Sequence, residues 1–239
     1  MQGAELALRK LRKPDNVPSR MEVVDQLAAR WKQSKGEEIA NTISHGAGLL
    51  AAAIGTPILL ESASERGSVP FLIGTWIFVG TMLLLYLGST VYHLWPRTRL
   101  KGALQVIDHS AIFLMIAGTY TPFTLGPLHG PHGWTVLALV WALAACGVML
   151  KVLKGVLHRP RLAVFLYLGM GWLVLLILRP LAMTLPRDSL VWLAVGGLVY
   201  TAGVIFFVTD HRRYHHFVWH LFVLGGTSCH YFAVLAYAD

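Results

Sequence analysis

Three short stretches of this sequence carry side chains that can do chemistry, at spacings that let them act together. Residues 88–96 read GSTVYHLWP and place Ser89 and His93 four apart. Residues 215–220 read HHFVWH and place His216 and His220 four apart. On a helix, residues i and i+4 lie one above the other on the same face, and two histidines so spaced are a zinc-binding arrangement. The third stretch, QVIDHSAIF at residues 105–113, contributes Asp108. Three imidazole nitrogens from His93, His216 and His220, with a fourth position left for water, match the catalytic type of zinc site. Calcium or magnesium would demand more oxygen ligands than this set supplies. In such a site Asp108 can take a proton from water, and Ser89 can orient the water or hydrogen-bond a developing oxyanion. The chemistry these residues point to is hydrolysis.

The elements that must hold them are membrane helices. The chain has 239 residues, of which 55% are hydrophobic and 13% charged, with a mean hydropathy of +0.57. Soluble domains carry about 25% charged residues. Roughly 20 apolar residues cross the hydrocarbon. Such runs fall at about 40–60, 70–94, 106–127, 133–150, 162–178, 190–208 and 216–236. They are too long for barrel strands, and a helix satisfies its own backbone in lipid. The expected fold is an all-α membrane protein, a seven-transmembrane helix bundle.

Charge gives the expected orientation. The net charge is +8. With the N-terminus inside, the tail and the loops at 95–105, 151–161 and 212–213 hold 17 of the 20 Lys and Arg. Arg66, Arg179 and Arg187 fall on the other side. That bias places the N-terminus in the cytoplasm and the C-terminus outside, in a multi-pass protein of the cell (inner) membrane. The basic charge is thereby a topology signal and a contact for anionic lipid headgroups, not a nucleic-acid surface. Membrane lipids are the partners to expect.

Topology then gathers the chemistry. Ser89 and His93 end the second span, Asp108 lies near the start of the third, and His216 and His220 begin the seventh, all at one cytoplasmic level. Asp108 is the one acidic residue these spans contain, and intramembrane carboxylates are functional by default. Asn41 and His45 on the first span reach the same level and are read as hydrogen-bonding supports of the ligands. Glu38 precedes the span and receives no place in the site. His109 faces about 100° away from Asp108 and reads as structural. His230, ten residues beyond His220 and about 15 Å further along the axis, reads as a packing histidine bonded within the bundle. All seven Lys lie outside the spans, which leaves none for a retinal Schiff base.

Residues 1–36 form a basic cytoplasmic tail, with the seven-helix domain at 37–239. The tail lacks the apolar core of a signal peptide. Its segment SRMEVVDQLAARWKQSKG, with Ser19 and Glu22 spaced as a capping box, is expected to form an amphipathic helix on the membrane. Cys146 and Cys229 sit inside spans and offer no disulfide framework.

Four signatures, EEIANTISHG, GSTVYHLWP, DHSAIFLMIAGTYTPF and HHFVWHLFVLGGTSCHYF, resemble the hemolysin III family, the bacterial branch of the progestin and adipoQ receptors. The resemblance covers about residues 37–236. It implies seven helices and a zinc ion near the cytoplasmic face, held by His93, His216 and His220. The family's aspartate, which holds the zinc-bound water, falls on Asp108, and its serine on Ser89. The family has attributed ceramidase-type, receptor and cytolytic activities and links to membrane lipid homeostasis. Three functions follow as expectations: a zinc-dependent intramembrane hydrolase of a lipid amide or ester; a non-enzymatic receptor or sensor with structural zinc; and a cytolytic pore-former. The last ranks lowest, because no span carries a polar stripe along its whole length.

Overall fold

The first span is organised inside out. Ile39, Ile43, Leu50, Ile54 and Ile58 are exposed, whereas Asn41, Ser44, His45 and Gly48 are buried. A helix in lipid turns its apolar face outward and its polar and small residues toward its neighbours. The computed structural model describes residues 33–153 and 160–238, so the amphipathic helix expected in the tail lies outside the described residues. Seven spans long and apolar enough to cross a membrane are present, and there is no strand among the described residues.

The helices are α1 (Lys35–Glu65), α2 (Val69–Leu94), α3 (Arg99–Leu125), α4 (Pro131–Val152), α5 (Pro160–Trp172), α6 (Leu178–Thr184), α7 (Arg187–Val208) and α8 (His215–Ala238). Helices α5 and α6 belong to one span and are joined by a 3₁₀ turn at Leu173–Ile177. Helix α1 packs on α2 and α8, α2 on α3, α3 on α4, and α7 on α8. Gly48 lets α1 pack closely on α8 and α2, since a Cβ there would stand 2.5 Å from Leu224 and 2.8 Å from Tyr86.

Several boundaries differ from the sequence expectation, and two of them have a clear local reason. Helix α1 starts at Lys35, five residues before the apolar run, because Ser34 caps it. The Ser34 side chain accepts from the Glu37 backbone, and the Glu37 carboxylate accepts from the Ser34 backbone, completing a capping box. Glu37 and Glu38 therefore lie inside the helix, and the apolar spans do not contain Asp108 alone among the acids. The fifth span, expected to end near 178, runs on to Thr184 after its 3₁₀ interruption. Pro180 explains the break. It has no N–H for the Leu176 carbonyl, and its ring crowds that carbonyl in regular α-geometry. The Tyr120 hydroxyl reaches across from α3 to the Met170 and Gly171 carbonyls, at 2.8 and 2.7 Å.

Candidate metal centre

Three histidines meet where α2 ends and α8 begins. His93, His216 and His220 are all buried, and one ring nitrogen from each lies within 4.8 Å of the others. The ring centroids of His93 lie 5.2 Å from those of His216 and 5.0 Å from those of His220. This is the triad the i,i+4 spacings predicted, and among the described residues it is the group of metal-ligating side chains so arranged.

The surrounding hydrogen bonds say which nitrogens are available. His93 Nδ1 is 2.8 Å from Glu38 Oε2, a carboxylate that only accepts, so His93 donates through Nδ1 and keeps the Nε2 lone pair. Ser44 Oγ donates to the Asn41 carbonyl at 2.9 Å, leaving its lone pairs to accept from His220 Nδ1 at 3.1 Å. His220 is thereby also set with Nε2 as its free acceptor. His93 Nε2 and both ring nitrogens of His216 are buried without a hydrogen-bond partner. Buried polar groups are normally satisfied. Unspent imidazole lone pairs converging on one point fit a bound transition-metal ion. The three histidines can hold a metal ion.

The first helix supplies more than was expected of it. Asn41 is fully buried, with its amide 3.5 Å from His93 Nδ1. His45 supports the site by stacking rather than by hydrogen bonding: its ring lies on His220 with centroids 3.6 Å apart and planes 12° apart. Glu38, left out by the sequence reading, touches a candidate ligand directly. Its other oxygen accepts from Lys101 Nζ at 2.8 Å. Lys101 is only 1% exposed and also donates to the Trp95 carbonyl at 3.2 Å. Ser44 was missed too. The available signal was one residue before His45 on the inward face of α1.

Ser89, Asp108, His216 and His220 line one small cavity of about 20 Å³ together with His45 and His109. His109 is therefore not turned away from Asp108's surroundings, as the 100° argument held. Its Nδ1 is 3.3 Å from Lys151 Nζ, and its backbone carbonyl accepts from the Tyr167 hydroxyl at 3.0 Å. Lys101 and Lys151 are both buried inside helices, which corrects the expectation that every lysine lies outside the spans. His230 behaves as expected, bonded to the Gly226 carbonyl at 2.8 Å.

A second cavity of about 390 Å³ adjoins the first, and Leu85, Ile112, Trp219 and Val223 line both. Its walls are overwhelmingly apolar and come from α3, the interrupted fifth span, α7 and α8. Leu175 and Leu198 line it while remaining 57% and 60% exposed, so it reaches the lipid-facing surface between the fifth span and α7.

Comparison with known proteins places these features in a group. The family described as haemolysin-III related matches residues 33–231. The chain is 43% identical over 201 residues to a hemolysin-3 homolog of Bacillus subtilis (strain 168), covering 84% of this chain and 94% of the relative. It is 39% identical over 208 residues to hemolysin-3 of Bacillus cereus, covering 87% and 94%. The human monocyte to macrophage differentiation factor is 30% identical over 218 residues, covering 87% of each chain.

Proposed function

The chain belongs to the haemolysin-III-related family, a group of multi-pass membrane proteins, and from that premise we propose that it is a zinc-dependent intramembrane hydrolase of a lipid amide or ester, acting in membrane lipid homeostasis. One observation carries the reading. A small cavity on which histidines, a carboxylate and a hydroxyl converge shares a wall with a large apolar cavity that reaches the lipid face. Ligand pockets of this kind are mostly apolar, with a few converging polar groups.

His93, His216 and His220 would hold the ion. Zinc, when bound, polarises a carbonyl and makes water acidic enough to attack near neutral pH. The lipid's chain lies in the larger cavity and brings its carbonyl past Leu85 and Ile112. Asp108 accepts the proton of the attacking water as its oxygen bonds to the carbonyl carbon. Ser89 donates a hydrogen bond to the oxyanion. The bond from carbon to the leaving nitrogen or oxygen then breaks, and the proton held on Asp108 passes to the leaving group. Among the described residues the group with ligand atoms within 4.8 Å of one another is His93, His216 and His220, without Asp108. That separation supports an open fourth position over a closed structural site.

The direct test is metal analysis of the purified protein, paired with hydrolysis of N-acyl and O-acyl lipids in mixed micelles. About one zinc per chain and zinc-dependent release of fatty acid are expected; a metal-free protein with no turnover removes the reading. The bias of Lys and Arg toward one set of loops supports a cytoplasmic position for this site. A reporter fused after Asp239 should therefore report the outside, and one in the 151–161 stretch the cytoplasm.

A further inference from the structure

Glu37 and Glu38 are neighbours in the first turn of α1, about 100° apart around its axis, and they hold different helices. Glu38 contacts His93 of α2 and Lys101 of α3. Glu37 accepts the backbone N–H of Tyr214 at 2.8 Å, two residues before His216. Tyr214 is the one non-glycine residue with positive φ among the described residues, at 61°. A residue with a Cβ is seldom left-handed unless its surroundings impose it. The chain turns there into the helix that carries two of the three histidines. Gly36 leaves room for the turn, since a Cβ there would stand 3.1 Å from the Tyr214 hydroxyl.

We propose that Glu37 and Glu38 form a two-armed positioning clamp, in which Glu38 sets the tautomer of His93 and Glu37 sets the turn that aims His216. The inference rests on the reading of the three histidines as metal ligands, and it concerns how they are readied. Lys101 gives the first arm its direction. Its ammonium holds Glu38 Oε1, which leaves Oε2 for His93 Nδ1–H and leaves Nε2 bare toward the other histidines. A carboxylate behind a ligating histidine orients it and raises its basicity.

The amide in Glu38→Gln makes the arm testable. Its oxygen is drawn to the Lys101 ammonium, so its NH₂ turns to His93 Nδ1 and donates there. The histidine must then carry its proton on Nε2, the nitrogen the metal needs. Zinc titration of the detergent-solubilised protein against a competing chelator should show Glu38→Gln weakened about 10- to 100-fold, the range for groups behind a ligand. Adding Lys101→Met frees the amide to flip, and part of the affinity should return. Ring ¹⁵N shifts of the metal-free protein give a readout independent of zinc: His93 should be the Nδ1–H tautomer in wild type and shift toward Nε2–H in Glu38→Gln.

For the second arm, Glu37→Ala should weaken zinc toward the lower end of that range. Ser34→Ala, which removes the cap and the hydroxyl's bond to Glu37 Oε2 but leaves Oε1 to the Tyr214 N–H, should lower thermal stability and leave zinc affinity in place. Tyr214→Gly, which makes the left-handed turn easy, should rescue Glu37→Ala. Unchanged zinc affinity in Glu38→Gln, or His93 protonated on Nε2 in wild type, overturns the first arm while the metal site stands. Loss of affinity in Ser34→Ala equal to that in Glu37→Ala overturns the second. A wild-type protein that binds no zinc overturns the clamp together with the site.

Discussion

The two cavities of this protein meet at four residues and differ in nearly everything else. The smaller, about 20 Å³, is lined by Ser89, Asp108, His216 and by His220, whose ring is tied to Ser44 of α1. The larger, about 390 Å³, is bounded by apolar side chains of an interrupted span and of α7. Packing follows the same division: half of an 18-residue apolar stretch of α2 is buried (50%), against 11% in α7. Polar groups in lipid are costly unless they are satisfied and shielded, so the chemistry sits where helices pack tightly. An acyl chain needs volume and a way in from the bilayer, and those exist where packing is loose. On the proposed reading, the contrast separates fixed reactive groups from an accommodating binding space.

The largest effect should come from the polar side. Replacing both His216 and His220 with Ala removes two of three metal-ligating nitrogens, and bound zinc should vanish from the purified protein. His230→Ala is the matched control. His230 lies on the same helix but lines the apolar cavity, and its loss should leave zinc stoichiometry at wild-type level. Full zinc occupancy in the double variant would place the ion elsewhere and dissolve the distinction between the two cavities.

Asp108→Asn should separate chemistry from binding within the small cavity. Without the group that takes the proton, turnover should fall about 10²- to 10⁴-fold. Zinc affinity should drop no more than about 10- to 100-fold, as befits a residue that does not ligate. A variant that loses zinc as His220→Ala does would make Asp108 a direct ligand and favour the structural-metal reading. Retention of both zinc and full turnover would remove Asp108 from the mechanism.

The shared wall offers a smaller and more selective cut. Ile112→Trp should fill the passage between the cavities. Overpacking costs about 1–3 kcal/mol, so the protein should fold, keep its zinc and hydrolyse long-chain substrates poorly, with short-chain analogues less affected. Equal losses for both chain lengths would mean that the large cavity does not serve the chain.

How much of this was legible follows the same divide. The triad could be read because i,i+4 periodicity converts spacing into a helix face, and because seven apolar runs bring three distant segments to one level. Glu38 escaped because hydropathy marks where lipid begins, whereas the helix begins where Ser34 caps it, five residues earlier. Lys101 and Lys151 escaped for a related reason: a charge near the end of a span reads as loop, yet both side chains are buried among polar partners. The large cavity had no sequence signal. Its residues are the same Leu, Ile and Val that would fill a packed bundle, and only the break before Pro180 hints that the packing opens there.

That break supplies the smallest expected effect, and it tests whether the loose region has a defined shape. Where the fifth span leaves α-geometry at Leu173, the carbonyls just upstream lose regular helical partners. The Tyr120 hydroxyl reaches Met170 and Gly171 at that point, and Tyr120 also lines the large cavity. Tyr120→Phe keeps the ring and removes the only donor it offers. Leaving a buried acceptor unsatisfied costs about 1–3 kcal/mol, so thermal stability should fall modestly. The metal centre lies in the other region and shares no contact with this hydroxyl, so zinc affinity should hold. Hydrogen exchange should quicken locally around 170–177, because the turn there loses a tie to α3. If Tyr120→Phe instead weakens zinc as strongly as Glu38→Gln, the two regions are mechanically one, and the wall they share transmits strain rather than dividing two tasks.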